Sequence, residues 1–308
     1  MYSGGRDSTC LLDLAVRIAG REAVTALHVN YGLRESADGD ERHCGEQCER
    51  LGVPLQLCRP RRPAPAPGRP GVGNLQAWAR DARYGAGAQL ALAGGAALAA
   101  GHTATDQVET ILYRLASSPS RRALLGMRPR DGLLIRPLLA ISRGQTAAYC
   151  EQRGLPWRED ESNASSRFAR TRVRAGLAGA LREVHPGAQE NVLALAEILR
   201  DEAEVLDGLV SQVLDCGHEI ELRRLRELPV ALRRLVVQRL ADDALGRPAP
   251  GAARRADEVA ALAERGTAAL DLPHGVRALA EHGVLRFGRT PPLATRRPHN
   301  HGARLARP

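Results

Sequence analysis

Three polar clusters, Ser3 to Ser8, His28 to Asn30 and Gly101 to Glu109, fall where the pattern of this chain passes from strand to helix. After the first cluster, Leu12, Ala15, Val16 and Ala19 repeat at helical spacing until Gly20 stops them. Residues 23–30 read as a buried strand, about Ser36 to Leu51 as a polar helix, and Pro54 to Cys58 as a second short strand. A helical stretch from Asn74 to about Leu92 leads to a small-residue strand, Ala96 to Gly101, and the helix after it carries Asp106 and Glu109 on adjoining turns. This alternation is the rhythm of a parallel α/β sheet, in which ligands bind beyond the carboxyl ends of the strands. The convergence of three clusters at such ends restricts the chain more than any one of them does.

With 308 residues, the chain is long enough for two domains. The boundaries predicted are a catalytic α/β domain over 1–185, a smaller helical domain over 186–290 and a basic tail over 291–308. Ser142 and Gln145 have the spacing of a capping box and open a helix that runs to Gly154. From Gly187 to Leu214 the apolar repeat predicts one long amphipathic helix with Leu195, Ile198, Leu199, Leu206, Leu209 and Val213 inward. Helices continue over Leu228–Leu245 and Arg254–Glu264, and a hairpin over Val276–Phe287 turns near His282-Gly283. Arg59 to Gly73, rich in Pro, Arg and Gly, reads as a mobile surface loop, and Thr295 to Pro308 as a disordered basic tail.

The net charge is +9, and with no lysine in the sequence all 44 basic side chains are arginine. A coding bias toward arginine and a phosphate-rich partner both fit, because forked guanidinium groups suit phosphate. An aromatic content of 3% argues against a single-strand binder built on stacked bases. No two of Cys10, Cys44, Cys48, Cys58, Cys150 and Cys216 have the two-residue spacing of a zinc or redox motif, and Cys44, Cys48 and Leu51 lie on the buried stripe of a helix. Lacking a signal peptide or a bilayer-length apolar run, the chain is expected to be cytoplasmic, with no membrane partner.

The consecutive glycines in Ser3-Gly4-Gly5-Arg6-Asp7-Ser8 let backbone N–H groups approach an anion, and the following helix adds its positive end. The loop has no Gly-Lys-Ser/Thr and so is not a Walker A loop; read alone, it is also an ordinary turn with a helix start. It matches the Ser-Gly-Gly-x-Asp-Ser signature and so resembles the PP-loop (N-type) ATP pyrophosphatases, which the adenine nucleotide alpha hydrolase-like, Rossmann-like fold serves. Within that superfamily, His28-Val29-Asn30-Tyr31-Gly32-Leu33-Arg34 resembles the His-Val-Asn-His-Gly-Leu-Arg of the tRNA(Ile)-lysidine synthetase family, and Gly101-His102-x-x-x-Asp106-x-x-Glu109-Thr110 resembles its Gly-His-x-x-Asp-Asp-x-x-Glu-Thr region. Ile135-Arg136-Pro137-Leu138-Leu139 and Trp157-x-Glu159-Asp160-x-Ser162-Asn163, followed by Arg167, Arg170, Arg172 and Arg174, resemble the same family. The helices after Gly187 and the Leu270-Asp271-Leu272-Pro273 hairpin entry resemble its middle domain, as in a short family member.

The resemblance implies a two-step ligation. ATP adenylates the C2 oxygen of the wobble cytidine in tRNA(Ile) with a CAU anticodon, and the amine of free L-lysine then displaces AMP. It implies ATP contacts by Ser3, Gly4, Gly5, Arg6, Asp7, Ser8, His28, Asn30, Gly101, His102 and Arg136, with Mg²⁺ on Asp7. Asp106 and Glu109 are candidates for metal or the lysine amine, and with Asp7 form the catalytic set. Asp160, Asn163, Arg170, Arg172 and Arg174 are candidate RNA-side or substrate contacts. Without the resemblance, Asp106 and Glu109 read as a solvated helix face, His28 as a packed strand residue and the arginines as surface charge. A homodimer is compatible with this reading.

Two features depart from the family pattern. Only Met1 and Tyr2 precede the loop, where these proteins lead in with a buried strand, so the central strand is expected to be incomplete, with unpaired ladder groups beside it. Thr105 stands where the pattern has an acid, which predicts weaker metal or lysine affinity. Two other functions stand beside this one: another PP-loop tRNA modifier such as a thiolase, with Cys10 as its nearest cysteine, and a degenerate RNA-binding protein without catalysis, which the two departures favour.

Overall fold

The computed structural model describes residues 1–33, 35–62, 75–118, 121–159 and 169–291. The chain divides into two compact units, Met1–Arg200 and Asp201–Pro308, with the division inside a long helix. Most of the expected 59–73 loop, the 160–168 segment and the basic tail lie outside the described residues.

The first unit alternates helix and strand: α1 (Arg6–Ala19), β1 (Ala26–Val29), α2 (Ala37–Leu51), β2 (Leu55–Cys58), α3 (Leu75–Ala93), β3 (Leu98–Ala99) and α4 (Ala104–Ser117). It continues through α5 (Arg121–Leu124), β4 (Arg130–Asp131), β5 (Leu134–Ile135), α6 (Arg143–Gln152), α7 (Ala169–Arg172), a single π turn and α8 (Ala178–Val184). β1 pairs with β2 in parallel, His28 opposite Leu57, and β3 pairs with β5 in parallel, Leu98 opposite Leu134, while β4 runs antiparallel to β5. The strand expected over Ala96–Gly101 contracts to two residues.

Met1 and Tyr2 lie between these two small sheets. The Tyr2 N–H donates to the Leu27 carbonyl at 2.7 Å, and the Met1 ammonium donates to the Ala99 carbonyl at 2.8 Å. These two residues therefore carry ladder bonds to both neighbours of the central position. The Tyr2 ring enters a core of Leu12, Ala26, Cys44, Cys48 and Val53, in which both α2 cysteines are buried as their helical spacing predicts. A second core of Cys10, Leu11, Leu138, Cys150 and Leu155 joins α1 to α6, and across the same contact the Tyr149 hydroxyl donates to Asp13 at 2.6 Å.

The long helix, α9 (Ala188–Leu214), is rotated from the stripe predicted for it. Ala196, Val210 and Leu214 are buried and Leu199, Leu206 and Val213 half-buried, whereas Leu195, Ile198 and Leu209 are exposed. The apolar repeat allows either face.

The second unit contains β6 (Glu219–Glu221), α10 (Leu222–Glu227), α11 (Val230–Leu245), α12 (Ala256–Ala260), β7 (Thr267–Leu272), β8 (Val276–Glu281) and β9 (Val284–Arg289). The predicted hairpin is β8–β9, turning through His282 and Gly283, both with positive φ, as a tight hairpin requires. It belongs to an antiparallel sheet ordered β6-β9-β8-β7, so two strands accompany it that the apolar periodicity does not show. Leu222, Leu225, Val236, Val237, Val259, Val276 and Leu285 are fully buried between this sheet and its helices. Among the described residues, no helix is long and apolar enough to cross a membrane.

α4, which carries two candidate carboxylates, is anchored by Gln107. Its side-chain amide accepts from Met127 N–H at 2.6 Å and donates to the Met127 carbonyl at 2.9 Å. Gly126 has φ of 64° there, and a Cβ on it would lie 2.7 Å from the Gln107 carboxamide. Gly126→Ala is therefore expected to destabilise the first unit by about 2–4 kcal/mol, from left-handed strain plus overpacking. A urea-unfolding midpoint unchanged from the unsubstituted chain would refute this account of the anchor.

Candidate functional site

The loop Ser3–Gly5 leads directly into α1, whose N-cap, Gly5, has no side chain to cap the first turn. Inside the loop, the Ser3 and Ser8 hydroxyls are 3.0 Å apart, Ser3 N–H donates to the Ser8 hydroxyl at 3.2 Å, and that hydroxyl donates to the Gly5 carbonyl at 2.8 Å. Gly4 has φ of 78°, and a Cβ there would lie 3.2 Å from both Cys44 and His43, so the loop fits against α2 only without a side chain. From outside, the Arg158 N–H donates to the Gly4 carbonyl at 3.0 Å while its guanidinium pairs with Asp40 of α2 at 2.8 Å. Position 158 is one that the sequence pattern leaves unspecified.

At the end of β1, His28 is buried and its Nδ1 lies 3.0 Å from the Tyr2 carbonyl and 3.2 Å from Cys44 Sγ. The Asn30 amide donates to Asp38 at 3.0 Å and Glu41 at 2.8 Å, and its oxygen accepts from Gly32 N–H. The Arg59 guanidinium and then the Asn30 amide hold Glu41 below the usual carboxylate range. Tyr31 packs edge-on against Trp78 of α3. His102 Nε2 lies 3.5 Å from the Tyr84 hydroxyl, and the buried Arg136 donates to the Arg128 carbonyl at 2.6 Å.

The centre of the arrangement is where the end of β3 meets the start of α1. A Cβ on Gly101 would lie 3.1 Å from the Asp7 carbonyl oxygen and 3.2 Å from Ser8 N, so glycine permits this approach. Asp7 and Asp106 are thereby brought to one guanidinium. Arg143 Nε lies 3.4 Å from Asp7 Oδ2, and its NH2 lies 3.4 Å from Asp106 Oδ1. Asp7 also accepts from the Thr146 hydroxyl at 2.5 Å and lies 3.5 Å from Arg6 Nε. Asp106 closes a capping box at the start of α4 with Thr103, whose N–H donates to it at 2.9 Å.

Glu109, one turn on, is fully buried and bound by Arg174 through two bonds of 2.5 and 3.1 Å. The structure thus joins two residues that the sequence reading assigned to separate roles. Thr105 accepts the Arg143 N–H at 3.2 Å, so this neutral side chain helps seat the first turn of α6. Arg172 is exposed at the end of α7, whereas Asp160, Asn163 and the Arg170 side chain lie outside the described residues.

Arg143 and Thr146 are absent from the sequence reading, although its capping box contains the signal. The Ser142–Gln145 box forms as predicted, with bonds of 3.2 and 2.8 Å. Fixing that helix start places positions 143 and 146, one turn apart, on one face of α6. Two carboxylates facing a single cation position form a donor set that suits Mg²⁺, which commonly takes one or two carboxylates and completes its shell with phosphate oxygens and water.

The family profile described as a PP-loop domain matches residues 1–181. The chain belongs to the PP-loop family. Relatives of this PP-loop chain include the tRNA(Ile)-lysidine synthase of Burkholderia pseudomallei, 36% identical over 285 residues, which cover 89% of this chain and 57% of that protein. The tRNA(Ile)-lysidine synthase of Symbiobacterium thermophilum is 35% identical over 94% of this chain and 64% of its own length. That of Pseudomonas aeruginosa is 38% identical over 68% of this chain and 47% of its own. The PP-loop chain thus spans about half to two thirds of the length of these curated relatives. Among solved structures, the U34-tRNA thiolase NcsA from Methanococcus maripaludis, determined with its [4Fe-4S] cluster, matches with a TM-score of 0.52 and 17% identity, covering 65% of this chain and 71% of that one. That likeness is one of fold.

Two measurements test the site. Arg174→Met leaves the buried Glu109 carboxylate without its bidentate partner and is expected to cost about 2–4 kcal/mol, less than for a fully enclosed pair because Arg174 is partly exposed. The double substitution Glu109→Gln with Arg174→Met should recover part of that loss in urea unfolding; no recovery would mean that the pair does not account for it. Burial, then the neighbouring Cys150 and Asp7, pushes Cys10 up to about 12, and burial pushes Cys44 up to about 12. At pH 8 each is thiolate to only about one part in ten thousand. A thiol reagent on the folded chain should therefore label exposed Cys216 and leave Cys10 and Cys44 unmodified; rapid labelling of Cys10 would contradict the buried placement.

Proposed function

We propose that the chain joins free L-lysine to C2 of the wobble cytidine of tRNA(Ile) with a CAU anticodon, consuming ATP and releasing AMP and pyrophosphate. The observation that carries this reading is the Asp7–Arg143–Asp106 bridge beside an uncapped Ser/Gly loop, in a chain similar over 89% of its length to a tRNA(Ile)-lysidine synthase.

In the first step, the cytidine C2 oxygen attacks the α-phosphorus of ATP and the bond to pyrophosphate breaks. In the second, a lysine amine attacks C2, AMP leaves with the oxygen, and the amine loses a proton. The backbone N–H groups of Ser3 to Ser8 and the start of α1 are suited to hold the departing pyrophosphate. Asp7 and Asp106 would hold Mg²⁺, whose charge would neutralise the phosphates. Glu109 is already bonded by Arg174, so its part is to fix Arg174 against the second turn of α4, with the metal and amine roles left to Asp7 and Asp106. For tRNA, a surface with arginine as its sole cationic side chain apart from histidine suits contact with backbone phosphates.

The competing reading, tRNA thiolation, draws on the fold likeness to the U34-tRNA thiolase. It is disfavoured by Cys10, which packs with Leu11, Leu138 and Leu155 as a protonated core thiol.

The test supplies the chain with ATP, Mg²⁺, labelled lysine and unmodified tRNA(Ile) transcript. Lysine should enter the tRNA, and Asp7→Asn should reduce the rate by about 100-fold or more, the scale on which loss of a charge-stabilising group acts. Pyrophosphate release without lysine transfer would point to a different PP-loop modification, and ATP binding without turnover to an RNA-binding protein that has lost catalysis.

A further inference from the structure

Arg143 occupies the position between the two carboxylates that the proposed function gives to a metal ion. Both of its contacts are 3.4 Å, long for charge-assisted bonds, and its side chain is 27% exposed while those of Asp7 and Asp106 are 16% and 12% exposed. Glu109 presents the opposite case: its guanidinium partner is bidentate and close, and the carboxylate is fully enclosed. The acidic cluster thus contains one tightly fixed ion pair and one cation loosely shared by two carboxylates, with Arg6 3.5 Å from Asp7 alone.

Arginine keeps its charge at any physiological pH, so a guanidinium between two carboxylates can make way for another cation only by moving. The backbone of Arg143 does not have to move with it. Its N–H is held by Thr105, the Ser142–Gln145 box fixes the helix start, and its carbonyl lies 3.0 Å from the Thr146 hydroxyl, whose proton goes to Asp7. The long side chain swings from that fixed base, and the uncapped first turn of α1 that bears Asp7 lies within its reach. A phosphate group arriving there offers two oxygens as a bidentate acceptor for the planar guanidinium.

We propose that Arg143 is an exchangeable counter-ion. It holds Asp7 and Asp106 together and keeps divalent metal off them until nucleotide arrives, then transfers its guanidinium to the phosphates as the metal takes the carboxylates. The exchange keeps positive charge on the carboxylate pair throughout, which avoids leaving two partly buried negative charges facing each other. It also makes metal binding depend on nucleotide binding. Arg143 is accordingly a positioning residue for the metal and a direct phosphate contact once the metal is bound. This inference rests on the ATP-dependent reading of the site, but its test does not require lysine transfer.

The probe is Mn²⁺ alone, titrated into the full chain without nucleotide and followed by the electron paramagnetic resonance signal of the free ion. Arg143→Gln is expected to bind Mn²⁺ at least about 10-fold more tightly than the unsubstituted chain, because a neutral side chain no longer competes for the carboxylates. Arg143→Lys, which keeps a cation at the position, should bind as weakly as the unsubstituted chain. Adding Asp106→Asn to Arg143→Gln should abolish the gain. Equal Mn²⁺ affinity in Arg143→Gln and the unsubstituted chain would overturn the proposal, as would a gain that survives Asp106→Asn. In a second arm, with saturating Mg²⁺ present, Arg143→Gln should weaken ATP binding by about 10-fold, and unchanged ATP binding would overturn the transfer to phosphate. Failure of lysine transfer would leave the Mn²⁺ result meaningful, since that titration reads the carboxylate pair itself.

Discussion

The site depends on how closely the end of β3 approaches the start of α1. Gly101 is the residue at which the two meet, and any Cβ there would press on the Asp7 carbonyl and the Ser8 nitrogen. Close contact at that point puts the first turn of α4 beside the first turn of α1. Asp7 and Asp106, nearly a hundred residues apart in sequence, then face the same side chain from α6. Three helix starts meet there, and each brings unsatisfied N–H groups or a short polar side chain to the same small volume. The Ser3–Ser8 loop and the Asp7–Asp106 pair are adjacent because the helices converge by their N-terminal ends.

Charge within the cluster is divided between a fixed part and an adjustable part. Glu109 and Arg174 tie α4 to the π turn after α7 with a buried bidentate pair, and breaking that pair would leave an uncompensated charge in the core. The Asp7 and Asp106 carboxylates lie nearer solvent than Glu109, and their contacts with Arg143 are longer. Rigid support behind a looser set of charges suits a site that must exchange cations without losing its shape.

The sequence made much of this legible, for identifiable reasons. The Ser/Gly loop, the strand ends at His28 and Gly101 and the Ser142–Gln145 box are local patterns, and local patterns survive in one dimension. Cys44 and Cys48 were readable as core because two apolar thiols one turn apart on an otherwise polar helix have one face to share. Long-range pairing was not readable. Glu109 and Arg174 are 65 positions apart, and neither type of residue signals a partner at that distance. The rotation of α9 was lost because Leu195 and Ile198 on one side and Ala196 and Leu199 on the other fit the helical period equally well. β7 was missed because Ala268 and Ala269 have little strand preference, and its place in the sheet comes from pairing with β8.

Thr105 shows how a sequence departure changes meaning once its neighbours are known. Measured against the family pattern, it is an acid lost beside Asp106. In the fold, its hydroxyl accepts the N–H of Arg143, the residue that serves both Asp7 and Asp106. An acid at 105 would add a third negative charge one position from Asp106. A neutral hydroxyl accepts the same backbone N–H without competing for the side chain. The substitution therefore removes one possible ligand and, in exchange, leaves Arg143 poised evenly between the two carboxylates that remain.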